Sequence, residues 1–107
     1  MEIFKKINKA SAGSELEKKH VPIIDCPASV KAGEAFNVTI SWGKEVPHPD
    51  EGGHFIQWVE LYWKDVEIAR AEFSPTITAG PVTFTVKLTE SVSLMARLRC
   101  NLHGIWE

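Results

Sequence analysis

Cys100 and His103 stand three residues apart in CNLHGIWE, residues 100–107, with Gly104 directly after the histidine. Thiolate sulfur and imidazole nitrogen both bind transition metals, so the chemistry open to this pair is metal ligation. The spacing alone carries little. A buried cysteine serves equally well as a small hydrophobe, and a His-Gly step is ordinary turn punctuation. The pair needs partners, and the whole chain holds only two cysteines and four histidines.

Two of those histidines share one segment. EVPHPDEGGHF, residues 45–55, places His48 and His54 at the ends of a short loop that leads into a hydrophobic run. Pro47 and Pro49 stiffen the setting of the first, and Gly52 and Gly53 let the chain bend before the second. Two imidazoles held in this way can reach one ion; taken alone, the segment is equally a surface loop with two solvated histidines. The fourth histidine, His20, lies in EKKHVPII, residues 17–24, between a charged N-terminal segment and the apolar run Val21 to Ile24. Every histidine therefore falls in one of three loop-like motifs flanked by Pro or Gly. None is left for ordinary surface duty, which favours one shared site of four imidazoles and a thiolate.

Strands must position these residues. In FNVTISW, Phe36, Val38, Ile40 and Trp42 alternate with Asn37, Thr39 and Ser41, the period of a strand with one buried face. VTFTVKL repeats the pattern with Val82, Phe84, Val86 and Leu88 inward. FIQWVELYW, residues 55–63, is dense in β-branched and aromatic residues, as a central strand is. In SVSLMARLRC the residues Val92, Leu94, Ala96, Leu98 and Cys100 share one face, so the alternation that buries the leucines also turns the sulfur inward. A thiolate in so dry a place needs a cation beside it, and a metal ion is the natural one. Turn signals at Ala32-Gly33, Gly52-Gly53, Lys64-Asp65 and Ala79-Gly80-Pro81 separate the runs. With no amphipathic helix in view, the pattern predicts an all-β fold, an immunoglobulin-like antiparallel β-sandwich.

Length and charge set outer bounds. A chain of 107 residues can close one core without disulfide staples. A formal net charge of −2 supplies no basic field for nucleic acid. No segment has the apolar length of a signal peptide or a membrane span, so a cytoplasmic protein with no membrane partner is expected. In that reducing setting Cys26 and Cys100 are read as separate thiols.

The combination of KHVP at 19–22, GKEVPHP at 43–49, His54 before FIQWVEL, and the terminal CNLHGIWE resembles the superoxide reductases, in particular their single-iron, neelaredoxin form. The resemblance runs from about Glu17 to the C-terminus. It implies one iron per chain on an immunoglobulin-like sandwich, with His20, His48, His54 and His103 as equatorial ligands and Cys100 as the axial one. On this reading residues 1–107 are a single domain, 1–19 forming an N-terminal segment and active-site loop and 20–107 the iron-binding sandwich. The desulfoferrodoxins add a domain whose iron is held by four cysteines, and this chain lacks the cysteines for it. The implied reaction is one-electron reduction of superoxide to hydrogen peroxide at the coordination position left open by five protein ligands. A rubredoxin-like electron donor and a homo-oligomer, a tetramer in many single-iron members, are implied as well.

Lys19 matches the family's lysine beside the open position, where it would attract superoxide and help deliver a proton. The next position departs from the family, whose pattern is Glu-Lys-His-Val-Pro with a glutamate that caps oxidised iron. Here Lys18 occupies that place and Glu17 lies one step further back. If the segment is strand-like, Lys18 faces the same way as His20 and Glu17 faces away, roughly 10 Å back along the chain. The backbone N–H groups of Asn101 and Leu102 are candidates to hydrogen-bond the sulfur and tune it. Cys26 reads as a buried, inert thiol. Trp42, Trp58, Trp63 and Trp106 read as core or subunit-contact residues, and Glu45 as a solvated charge or a neighbour of a ligand.

Two other classes fit parts of the pattern. A β-sandwich electron carrier of the blue-copper kind also uses Cys and His ligands but needs a weak Met after the last His, and no Met follows His103. A metal-free interaction domain is the other, since sandwiches are common scaffolds for binding.

Overall fold

The computed structural model describes residues 7–8, 13–90 and 93–107. Its elements in chain order are β1 (Ile7–Asn8), α1 (Glu15–His20), β2 (Ile23–Asp25), β3 (Phe36–Ser41), β4 (Ile56–Trp63), β5 (Val66–Glu72), β6 (Val82–Val86), β7 (Leu94–Cys100) and β8 (Gly104–Trp106). They form a five-stranded sheet in the order β1-β8-β7-β4-β5 and a three-stranded sheet in the order β2-β3-β6. Every pairing is antiparallel except β1 with β8.

Alternation in the sequence becomes burial in the fold. Val38 and Ile40 of β3 meet Val59 and Leu61 of β4 and Ala96, Leu98 and Cys100 of β7 in one core cluster. The two sheets thus close over a shared interior, an all-β sandwich as the sequence predicts. The β4–β5 hairpin turns at Lys64-Asp65, both at positive φ (53° and 60°), the geometry that matches the twist of flanking strands. Among the described residues no helix is long and apolar enough to cross a membrane.

The N-terminal segment differs from the expectation. Residues 15–20 are helical, not strand-like. Ser14 is the N-cap: its hydroxyl accepts from the Glu17 N–H at 3.3 Å, while the Glu17 carboxylate reaches back to accept from the Gly13 N–H at 2.9 Å. This is a variant of the capping box in which the glutamate reaches the residue before the cap, with acidic residues in the first turn and Lys18, Lys19 and His20 in the last, where each sign suits the helix dipole.

Cys26 also departs from its expected place. It is exposed, because it lies just past β2, the edge strand of the smaller sheet. Trp106 is buried as expected, at 5% exposure. Trp58 and Trp63 are half-buried and carry cations over their rings, Arg70 and Lys64 at 4.8 Å each. Ser91 and Val92, at the start of the expected last long strand, lie outside the described residues.

Candidate metal centre

The spacing of CNLHG is explained by a hairpin. Cys100 ends β7, Asn101, Leu102 and His103 form the turn, and Gly104 opens β8 paired opposite Cys100. Gly104 has φ +81°, the left-handed conformation that closes a three-residue turn and favours glycine. The turn brings Nδ1 of His103 within 3.7 Å of the Cys100 sulfur. The sulfur itself is fully buried, and the β4–β7 register shift between Ile56 and Trp58 sets Cys100 opposite Ile56.

His20 arrives from the other side as the last residue of α1, with no solvent exposure. Its Nδ1–H donates to the Leu16 carbonyl at 2.7 Å, one turn back along the helix. His48 is held in the same manner, its Nδ1–H donating to the Pro49 carbonyl at 2.6 Å. The loop that carries it is folded tightly: Gly43 has φ +64°, and a Cβ there would lie 2.9 Å from the His48 backbone nitrogen. His54 enters just before β4, its backbone tied to Glu51 by N–H···O bonds of 2.9 and 3.1 Å.

All five sequence-predicted ligands converge. The ligand atoms of His20, His54, Cys100 and His103 lie within 4.8 Å of one another. Nε2 of His48 is 3.1 Å from Nε2 of His20 and 3.3 Å from the Cys100 sulfur. A carbonyl can only accept, so both Nδ1 atoms carry their protons and both facing Nε2 atoms present lone pairs. Two lone pairs at that distance repel unless a cation sits with them. A proton is disfavoured in that role: burial foremost, then the neighbouring histidines, lowers His20 to about 4 against the opposing pull of the Leu16 carbonyl. His48 is lowered for the same leading reason, with Pro49 opposing and His54, His103 and Lys19 adding to it. Nε2 of His54 is buried without any hydrogen-bond partner. An orphaned nitrogen, facing lone pairs and a buried thiol fit a metal ion, and four imidazoles with one thiolate suit a transition metal.

Lys19 is half-buried beside His20, close enough for its charge to act on His48. Lys18 pairs with Glu45 at 3.4 Å, an exposed bridge between α1 and the His48 loop. In the helix Glu17 and Lys18 do not alternate as they would in a strand, and the Glu17 carboxylate is engaged at Gly13. The Asn101 N–H is not directed to the sulfur; it donates to the Phe55 carbonyl at 3.1 Å. Trp106, read from the sequence as core, also serves the site. Its ring stacks on His20 with centroids 4.9 Å apart, and its Nε1–H donates to the His103 carbonyl at 3.1 Å. Gly43 and Trp106 gave no sign of these roles, because both contacts depend on how the chain folds back on itself.

The chain is similar to known proteins along most of its length. The desulfoferrodoxin family model matches residues 12–107. A putative superoxide reductase of Methanocaldococcus jannaschii is 45% identical over 105 residues, covering 94% of this chain and 88% of the relative. Neelaredoxin of Megalodesulfovibrio gigas is 36% identical over 108 residues, covering 84% and 83%. A solved superoxide reductase (neelaredoxin) from Ignicoccus hospitalis superposes with a TM-score of 0.83 at 39% identity, covering 99% of this chain and 93% of that one. With its sandwich, its cluster of imidazoles around a buried thiol and these relatives, the chain belongs to the desulfoferrodoxin family, among members of the superoxide reductase, neelaredoxin type.

Proposed function

We propose that this chain is a superoxide reductase whose metal is a single iron held by His20, His48, His54 and His103 with Cys100 as the fifth ligand. The facing Nε2 atoms of His20 and His48, 3.1 Å apart beside a buried sulfur, carry this reading. An iron held by these residues would supply the one electron that superoxide takes, with two protons, to leave as hydrogen peroxide. The protein's own part is to hold the ligand set and guide the substrate. The Leu16 and Pro49 carbonyls fix the tautomers of His20 and His48 so that Nε2 is free to bind. Burial keeps both rings neutral, the form a metal needs. As a thiolate, Cys100 would donate electron density towards the metal. Lys19, next to His20, draws in the anion and passes a proton from Nζ through water. A rubredoxin-like donor, a homo-oligomeric, tetrameric state and a cytoplasmic location complete the proposal.

Product stoichiometry tests it. Reduced, iron-loaded protein mixed with superoxide should give one hydrogen peroxide per superoxide consumed and release no dioxygen. Half that yield with dioxygen release would mean dismutation and would overturn the assignment.

A further inference from the structure

We propose that Asn101 is a positioning residue that fixes His54 relative to Cys100, a role that rests on reading both as ligands of one metal. Asn101 follows Cys100 directly and makes three hydrogen bonds to the segment around His54. Its backbone N–H donates to the Phe55 carbonyl at 3.1 Å. Its side-chain Oδ1 accepts from the Phe55 N–H at 2.8 Å, and Nδ2 donates to the Gly53 carbonyl at 2.9 Å. Together with the Glu51 bonds, these engage every backbone polar group from the Gly53 carbonyl to the Phe55 carbonyl.

The need for such a clamp follows from the contrast among the histidines. His20 and His48 each have a carbonyl on Nδ1 that orients the ring. For His54, whose ring makes no hydrogen bond among the described residues, the main chain takes over that task. His54 stands on a loop rich in glycine, Gly52-Gly53, which by itself holds nothing in place. Asn101 ties that loop to the residue next to the sulfur, across 46 to 48 positions of sequence. Only a short amide does this: it offers one acceptor and one donor a fixed distance apart. Aspartate keeps the acceptor and sets an oxygen against the Gly53 carbonyl; alanine keeps neither.

A double-mutant cycle on iron release tests the role. Fe(II)-loaded wild type, Asn101→Ala, His54→Ala and the double variant are challenged with a chelator, and the thiolate charge-transfer band of each oxidised form is recorded. Asn101→Ala should lose iron about tenfold faster or more, as removal of groups that orient ligands does, and its band should shift. In the His54→Ala background the same change should have little further effect. Equal acceleration in both backgrounds would overturn the clamp while leaving the metal centre intact. Should His54→Ala hold iron as long as wild type, the ligand reading and the clamp would both fall. If Asn101→Ala does not fold, Asn101→Asp enters the same cycle with the same criteria. Thr85→Ala, which removes an exposed bond to Asn37 on the smaller sheet, should release iron at the wild-type rate.

Discussion

Trp106 lies flat against His20, the two ring planes within 17° of parallel and their centroids 4.9 Å apart. The C-terminal strand thereby reaches the histidine furthest from it in sequence, and the same indole holds the carbonyl of His103. Trp106 is 5% exposed, so Trp106→Ala should cost about 3–5 kcal/mol in denaturant unfolding, the range for emptying a large aromatic site. Trp106→Phe keeps a stacking ring and loses the bond to His103, so it should cost less and still weaken iron retention. A Phe variant with wild-type retention would reduce Trp106 to core packing.

Acid should weaken the metal-free protein through its histidines. His20 is held near 4 in the fold, below its value of about 6.5 in an unfolded chain, so the unfolded state takes up the proton first. Stability from this group is complete above pH ~6.5, declines as pH falls, and stops declining below about 4, where both states are protonated. His48, shifted the same way, adds to the slope. Urea unfolding of chelator-stripped wild type and His20→Gln between pH 4 and 7 measures the difference. A wild-type slope no steeper than that of the variant would contradict it.

Glu17 should act on the helix and not on the metal. Its carboxylate accepts from the Gly13 N–H at the helix N-terminus, so Glu17→Ala should lower stability by about 0.3–1 kcal/mol. The oxidised protein's charge-transfer band and its pH dependence should stay as in wild type. A shifted band would show that Glu17 reaches the metal in that state.

Lys19 should matter to the rate and not to the site. Lys19→Ala should slow the second-order reaction with superoxide and flatten its dependence on ionic strength, since salt screens long-range attraction. The iron spectrum should hardly move. Equal rates for variant and wild type at low salt would return Lys19 to a surface role.

Much of the sandwich was legible because period-two alternation is written directly into β3, β6 and β7, where Val38 and Ile40, and Leu98 and Cys100, face inward as that alternation requires, and because β4 is dense in β-branched and aromatic residues. That the four histidines and Cys100 come together was legible because His and Cys are scarce here and fall in three motifs. The helix was missed because six residues are too few for an apolar period, although the Ser14-x-x-Glu17 spacing carried its cap. The burial expected of Cys26 fails because the lack of a nearby His or basic partner speaks to its reactivity and not to its exposure, which its place past an edge strand decides. The contacts of Asn101 with Gly53 and Phe55 join distant segments through main-chain groups that every residue has, so no side-chain pattern announces them.

Cys100, not Cys26, should share one iron with the four histidines. The most direct measurement is iron content with the visible spectrum of oxidised wild type, Cys100→Ser and Cys26→Ser. One iron per chain with a thiolate charge-transfer band is expected in wild type and Cys26→Ser, with the band absent from Cys100→Ser. A band that survives in Cys100→Ser and vanishes in Cys26→Ser would contradict the account.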